Sequence, residues 1–317
     1  MLKSALLNLV NWREARALQS CFSPLLDTLK LTLVDVGAAG DIEPRWRRIA
    51  PLINYVGFEP DERSFMQLKD KRTDCADYKI HNAAVWSSNG VLDYNLCKGW
   101  QVSSHYKPNV ELVSLFPNSE RFDVEKSLKI PTYQLDEIVD GDVDFLKIDT
   151  QGGELEILKG GTELLDSAIG FELEVSFASL YHDQPLFHHL AEFALDRGFE
   201  FIDFVSLRRW ERQDNQSGRG QMIFGDGLFL RTPEAIAKLA TSNPDKIRKY
   251  IVICGLYNRL DLIDRLVELC GDDHDWLAKT AELAPIRRRA RRSHKINKIA
   301  QLSLRMVGSE FKTHNLF

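Results

Sequence analysis

Residues 31–44 read LTLVDVGAAGDIEP, and this stretch decides the fold. A short apolar run rich in β-branched residues is the pattern of a buried strand, and here it runs straight into Gly37, Ala38, Ala39 and Gly40. Small residues at a strand end let the backbone turn sharply and approach a ligand closely. Similar runs recur downstream as INYVGFEP, YKIHNAAVW, VDFLKIDT, IGFELEVS and FEFIDFV, mostly separated by polar or helix-period segments such as DERSFMQLKDKRTDC and GGELEILKGGTELLD. Strands alternating with helices imply right-handed crossovers and a doubly wound, mostly parallel α/β sheet of Rossmann-like type. A last run, MIFGDGLFLR, follows a loop too short for a crossover helix. It is therefore expected to pair antiparallel beside FEFIDFV, as the last of seven strands.

Outside the sheet the pattern changes. Residues 1–30 read as a helical segment, with Leu2, Leu6, Leu9, Trp12 and Leu18 at helical spacing, and residues 233–317 read as a helical extension, which leaves 31–232 as the α/β domain. Residues 96–130 interrupt the alternation with Pro108, Pro117 and clustered Ser and Asn, as a lid or substrate loop would. The stretch IVICGLYNRLDLIDRLVELC is apolar on more than one side, so it is expected to pack on another element or on a second subunit, making the terminal helices a candidate homodimer contact.

Composition narrows the function. The chain has 317 residues, 41 Lys and Arg against 46 Asp and Glu, and a net charge of −5, which excludes a chain-wide basic surface for nucleic acid. No apolar stretch approaches the roughly 18 residues of a membrane span. Five scattered cysteines without a CxxC pair argue for reduced thiols and against a zinc site, and the N-terminus lacks a signal-peptide core, so a cytoplasmic protein is expected. One local exception is RRRARRSHK, where Arg287, Arg288, Arg289, Arg291 and Arg292 form a candidate contact for an anionic polymer or for lipid phosphates at the inner face of a membrane.

In an open parallel sheet, ligands bind beyond the carboxyl ends of the strands. The first strand delivers Asp35, Gly37, Ala38, Gly40 and Asp41 there; the second delivers Glu59, about 19 positions after Gly40, where a carboxylate can accept both hydroxyls of a ribose. The third delivers Asn82 and Ala83, the fourth Asp149, and the fifth Glu172 and Glu174. A dinucleotide would need G-x-G-x-x-G, but Gly37–Gly40 is only G-x-x-G, flanked by two acids that suit a pyrophosphate poorly. The acids suit S-adenosylmethionine, whose sulfonium and ammonium are both cationic.

The segments VDVGAAGDIEP, YVGFEPD, HNAAVW, SSHYKPN, VDFLKIDTQGGELEILKG and LEVSFASLYHDQPLF resemble the FkbM-type methyltransferase family in order and spacing, from about Leu31 to Arg231. The resemblance implies a class I S-adenosylmethionine-dependent fold and methyl transfer to a hydroxyl oxygen, commonly of a sugar, polysaccharide end or other glycoconjugate. It implies that Gly37, Ala38 and Gly40 bound the methionine part, with Asp35 near its ammonium. Glu59 would hold the ribose, Pro60 shape the turn, and Asn82 with Ala83 frame the adenine. Where the family often has Glu two residues after the strand-end acid, this chain has Gln151, which removes a charge from any second-carboxylate mechanism or metal site.

Three residues compete for the acceptor's proton. Asp149 either orients the cofactor's cationic end or acts as base; Glu174 must be paired or useful in an apolar strand; His182 has the pKa best suited to base work near neutrality. Lys147 reads as a counter-ion for the neighbouring acids. Ser103, Ser104, His105 and Tyr106 resemble the family's SS-x-x-x-P loop and are expected to line the acceptor or close over the cofactor, with Trp100 available to stack on a sugar. Metal independence is the expectation, since no His–carboxylate spacing supports a divalent site. Two readings stay beside this one: an N-methyltransferase or non-sugar O-methyltransferase of the same fold, and a cofactor-binding scaffold whose helical tail recruits partners. A dehydrogenase ranks below both for want of the third glycine.

Overall fold

The structure, a computed structural model, describes residues 15–26, 28–71, 73–212 and 220–270. The helical reading of residues 1–14 and the basic run at 287–295 lie outside the described residues.

Seven strands form the main sheet: β1 (Leu31–Val36), β2 (Ile53–Phe58), β3 (Asp77–His81), β7 (Phe145–Ile148), β8 (Gly170–Ser176), β9 (Phe199–Trp210) and β10 (Gln221–Arg231). Their order is β3-β2-β1-β7-β8-β10-β9, parallel except for β10, which runs antiparallel to both β8 and β9. The antiparallel pairing expected of the last run is therefore present. Strand order reverses between β1 and β7, which opens a crevice at their carboxyl ends.

Central strands are buried on both sides, which is why they read as continuous apolar runs. Val34, Val36, Ile148 and Leu173 face one core with Ile157, Leu158 and Leu190. These last come from helices α6 (Glu154–Lys159) and α8 (Phe187–Asp196), and α7 (Thr162–Ser167) adds Leu164 and Leu165. Leu31, Leu33 and Phe145 face the other core, which the terminal helices complete. Residues 15–26 lie in a helix, α1, that buries Phe22, Leu25 and Leu26. Beyond the sheet come α9 (Pro233–Leu239), α10 (Asp245–Leu256) and α11 (Leu260–Cys270). Thr232 caps α9 by accepting the Ala235 N–H at 3.1 Å. Helix α10 is apolar on several sides because it is buried within this chain, with Ile251, Val252, Ile253 and Cys254 fully enclosed.

A buried charge cluster docks α10. Asp144, just before β7 and fully enclosed, receives Lys246 Nζ at 2.9 Å, Lys249 Nζ at 2.7 Å and the Thr32 N–H at 2.9 Å. A buried carboxylate persists only when paired in this way.

Residues 96–130 hold more order than their composition suggests. A second sheet, β4-β6-β5, consists of β4 (Ala84–Val85), β5 (Gly90–Cys97) and β6 (Val124–Tyr133). Between β5 and β6 the chain makes two 3-10 turns and the short helix α4 (Val110–Val113), which Asn109 caps through the Leu112 N–H. The remaining short helices are α2 (Pro44–Arg47), α3 (Glu62–Lys69) and α5 (Leu135–Ile138).

Candidate active site

The β1–β7 crevice requires glycine at 37. Gly37 has φ +82°, and a Cβ placed on it would lie 2.0 Å from the Asp149 carbonyl oxygen. The two strand ends therefore meet backbone to backbone, in a conformation that side chains other than glycine rarely adopt. Beside this contact opens a cavity of about 600 Å³, a size ordinary for a cofactor site.

One end of the cavity is walled by Gly37, Ala39, Glu59, Pro60, Asp61 and Ala83. Glu59 is only 5% exposed, and burial raises its carboxyl to about 7. Its Oε1 accepts the Asp61 N–H at 2.8 Å, so the second oxygen is available to the cavity. Asn82 stands behind this wall, donating to the Glu59 carbonyl at 3.0 Å and so fixing the turn. Asp41 points away from the cavity, in ion pairs with Arg47 at 2.8 Å and Lys71 at 2.9 Å.

At the centre Asp149, Gln151 and Glu174 meet. The Gln151 amide donates to Glu174 Oε2 at 2.7 Å and to Asp149 Oδ1 at 3.2 Å, while Tyr181 donates its hydroxyl to Gln151 Oε1 at 3.3 Å. Gln151 holds φ +57°, a left-handed conformation uncommon outside glycine and typical of strained functional turns. Burial pushes the Glu174 carboxyl well up, and the neighbouring Asp149, Glu154 and Asp226 add to this against the Gln151 hydrogen bond. Glu154, which sequence reasoning did not single out, holds the turn from below. Its Oε1 accepts the Thr150 N–H at 2.8 Å and the Gly152 N–H at 3.2 Å, and burial raises its carboxyl to about 7.

A charged row runs across this face of the sheet. Asp35, Lys147 and Glu172 sit side by side in register on β1, β7 and β8, and Asp226 lies opposite Glu174. Burial would lower the Lys147 ammonium, but Asp35, Asp149 and Glu172 hold it above its ordinary value, as a counter-ion should be held. Asp35 is not part of the cavity wall: Tyr55 donates to its Oδ2 at 2.8 Å, and Oδ1 has no hydrogen-bond partner among the described residues. Glu172 faces away from the crevice toward the terminal helices, accepting Arg45 at 3.0 Å and the Tyr257 hydroxyl at 2.6 Å.

The far end is formed by the segment between β5 and β6. Ser103 and His105 line the cavity, with Trp86 edge-on to His105 at 4.8 Å. Ser104 and Tyr106 brace the wall: Ser104 Oγ donates to the Gln151 carbonyl at 2.7 Å and accepts the Tyr106 N–H at 3.1 Å. His182 is exposed and lies outside the cavity wall, its backbone N–H bonded to the Lys107 carbonyl at 2.9 Å. Trp100, Arg121, Arg208 and Trp210 complete this end. Of these only Trp100 carried a sequence signal; Arg121 and Arg208 come from distant segments that only the fold brings together.

Sheet order, switch-point crevice and acidic strand ends define a class I methyltransferase fold. A family model, the methyltransferase FkbM domain, matches residues 35–201, just over half of the chain. The chain belongs to the FkbM methyltransferase family, whose methyl donor is S-adenosylmethionine. It is 24% identical over 171 residues to the 2-O-methyltransferase NoeI of Sinorhizobium fredii (strain NBRC 101917 / NGR234), covering 50% of this chain and 69% of that protein. A protein of Jannaschia sp. (strain CCS1) bearing a methyltransferase name is 22% identical over 190 residues, covering 57% of this chain and 63% of the relative. Among solved structures, methyltransferase FkbM from Methylobacillus flagellatus KT matches with 15% identity and a TM-score of 0.35, covering 64% of this chain and 45% of that one.

The residues present fit the donor. Glu59 would offer a buried carboxyl oxygen to the ribose and Asp149 would face the donor's cationic end, while Asp61 is ion-paired with Arg63 at 2.6 Å. Among the described residues no helix is long and apolar enough to cross a membrane, and no group of three or more His, Cys, Asp or Glu is arranged to hold a metal ion.

Proposed function

We propose that the chain is an O-methyltransferase acting on a hydroxyl of a sugar or glycan-type acceptor. The observation that carries this reading is the Asp149–Gln151–Glu174 cluster, set between the donor end of the cavity and its aromatic end. When bound, S-adenosylmethionine supplies an electrophilic methyl group on sulfur. Asp149 takes the acceptor's proton; its side chain is 38% exposed to the cavity and is steadied by Gln151 and by Lys147 at 3.8 Å. Glu174, whose carboxyl burial and its acidic neighbours push well up, serves to orient rather than to abstract. Trp100, exposed at the cavity wall, offers a ring to a pyranose, and the NoeI relative is itself named a 2-O-methyltransferase.

The test uses the full chain with isotope-labelled S-adenosylmethionine and a panel of oligosaccharides, polyols and amines, locating label by mass spectrometry. Label on a sugar oxygen, with Asp149→Asn lowering kcat about 10²–10⁴-fold while donor affinity changes less than tenfold, supports the reading. Label on nitrogen, or full activity in Asp149→Asn, overturns it.

A further inference from the structure

We infer that the acceptor is anionic, carrying a carboxylate or phosphate on or beside its sugar, and that Arg121 and Arg208 receive that group. The inference rests on the methyl-transfer reading of the cavity and deepens it.

The two ends of the cavity carry opposite charge. Its donor end holds Glu59, with Asp61 ion-paired to Arg63 at 2.6 Å, whereas Arg121 and Arg208 line the end near Trp210. The Arg121 guanidinium lies over the Trp210 ring at 4.6 Å and near the Phe122 ring at 5.2 Å, with its Nε buried and, among the described residues, without a hydrogen-bond partner. Among the described residues no acid forms an ion pair with either guanidinium; Glu120 reaches Arg121 only through its field. Asp226 accepts the Ser206 hydroxyl at 2.5 Å, and Arg208 reaches it only through its field.

Register fixes where these cations stand relative to the chemistry. Glu174 pairs with Asp226 and Asp226 with Ser206, while Arg208 pairs with Phe224, two residues further along the same face. Two strand spacings and two residues put the Arg208 backbone about 12 Å from that of Glu174.

The half-buried Arg121 guanidinium without a counter-ion is costly, and such a cation is retained where a ligand brings the missing charge; Arg208 is exposed and offers a second guanidinium beside it. Guanidinium forks pair with carboxylate or phosphate through two parallel hydrogen bonds, a match that a neutral glycan cannot supply.

The test is calorimetry on the full chain loaded with S-adenosylhomocysteine. One titrant pair is oligogalacturonate and its methyl-esterified, uncharged form, and the other is glucose 1-phosphate and glucose. The expected result is at least tenfold tighter binding of the anionic member of one pair. That preference should fall about 10- to 100-fold in Arg121→Met and in Arg208→Gln, with S-adenosylhomocysteine affinity unchanged as the measure of intact folding. Which pair discriminates identifies the group as carboxylate or phosphate. Equal binding of charged and uncharged members, no binding of either anion by a chain that holds S-adenosylhomocysteine, or a preference that survives both substitutions overturns the inference. Loss of S-adenosylhomocysteine binding by the unaltered chain would instead overturn the methyl-transfer reading beneath it.

Discussion

Replacing Gln151 with glutamate tests whether its amide bridges Asp149 and Glu174. The side chain keeps its length and the backbone its left-handed turn, so only the chemistry of the contact changes. Two hydrogen bonds donated to carboxyl oxygens are lost, at 2.7 and 3.2 Å. In their place stands a carboxylate about 3 Å from that of Asp149, and at an effective dielectric of about 20 that repulsion is about 5 kcal/mol. The cluster can avoid it by holding one extra proton. For a carboxyl with an ordinary value near 4.3, keeping that proton costs about 5 kcal/mol at pH 8 and about 2 kcal/mol at pH 5.5. The sign follows from linkage: an acid whose folded pKa is raised gives full stability below its unfolded value and loses it as pH rises through the folded one. Gln151→Glu should therefore be destabilised by about 5 kcal/mol at pH 8 and about 2 kcal/mol at pH 5.5. Urea denaturation of both proteins, followed by far-ultraviolet circular dichroism at the two pH values with EDTA present, measures this. A deficit that does not change with pH, or one below about 1 kcal/mol at pH 8, would refute the bridge.

Two further outcomes follow from the same arrangement of charges. Glu59, raised to about 7 by burial, must ionise to accept ribose hydroxyls fully, so S-adenosylmethionine affinity should climb between pH 6 and 8. Glu59→Gln should bind about 100-fold more weakly and lose this pH dependence; a calorimetric profile parallel to that of the unaltered chain would contradict the assignment. Asp144→Asn should destabilise the protein by about 3–5 kcal/mol, because Lys246 would be left buried without its counter-ion. Adding Lys246→Met should recover part of that loss, and strictly additive effects in a denaturation cycle would show that the two residues are not coupled.

The parts of the fold that the sequence disclosed are those that periodicity and strand ends encode. Buried parallel strands such as LTLVDV and VDFLKI read as apolar runs because both faces are covered, and their small or acidic carboxyl ends mark the crevice. The second sheet stayed hidden because β6, VEKSLKIPTY, is exposed along most of its length, and only Leu128, Ile130 and Thr132 alternate inward near its end. Glu172 and Glu174 illustrate a subtler limit. Spacing of two puts both on one face of β8, but only register shows that Glu174 reaches the crevice while Glu172 turns to Arg45 and Tyr257. Asp144 carried no local signal, since its partners lie more than 100 positions away.

These pairings bear on how the chain divides. Sequence pattern separates a catalytic segment ending near residue 232 from helices that follow, yet the charges do not respect that line. Glu172 belongs to the row that polarises Lys147, and its hydroxyl partner Tyr257 follows α10; Asp144, which immediately precedes β7, is neutralised by Lys246 and Lys249 on the same helix. Gly255 admits the Phe22 ring so closely that a Cβ there would lie 2.9 Å from it, which locks the two terminal helices together beneath the sheet. Stripping the partners from a buried carboxylate costs about 3–5 kcal/mol, a large part of the 5–15 kcal/mol that holds an ordinary domain folded. The terminal helices are thus part of the electrostatic floor of the active site. Lys147 can face Asp149 from within the sheet because Glu172, on its other side, is satisfied by Arg45 and Tyr257 and does not compete for it undivided.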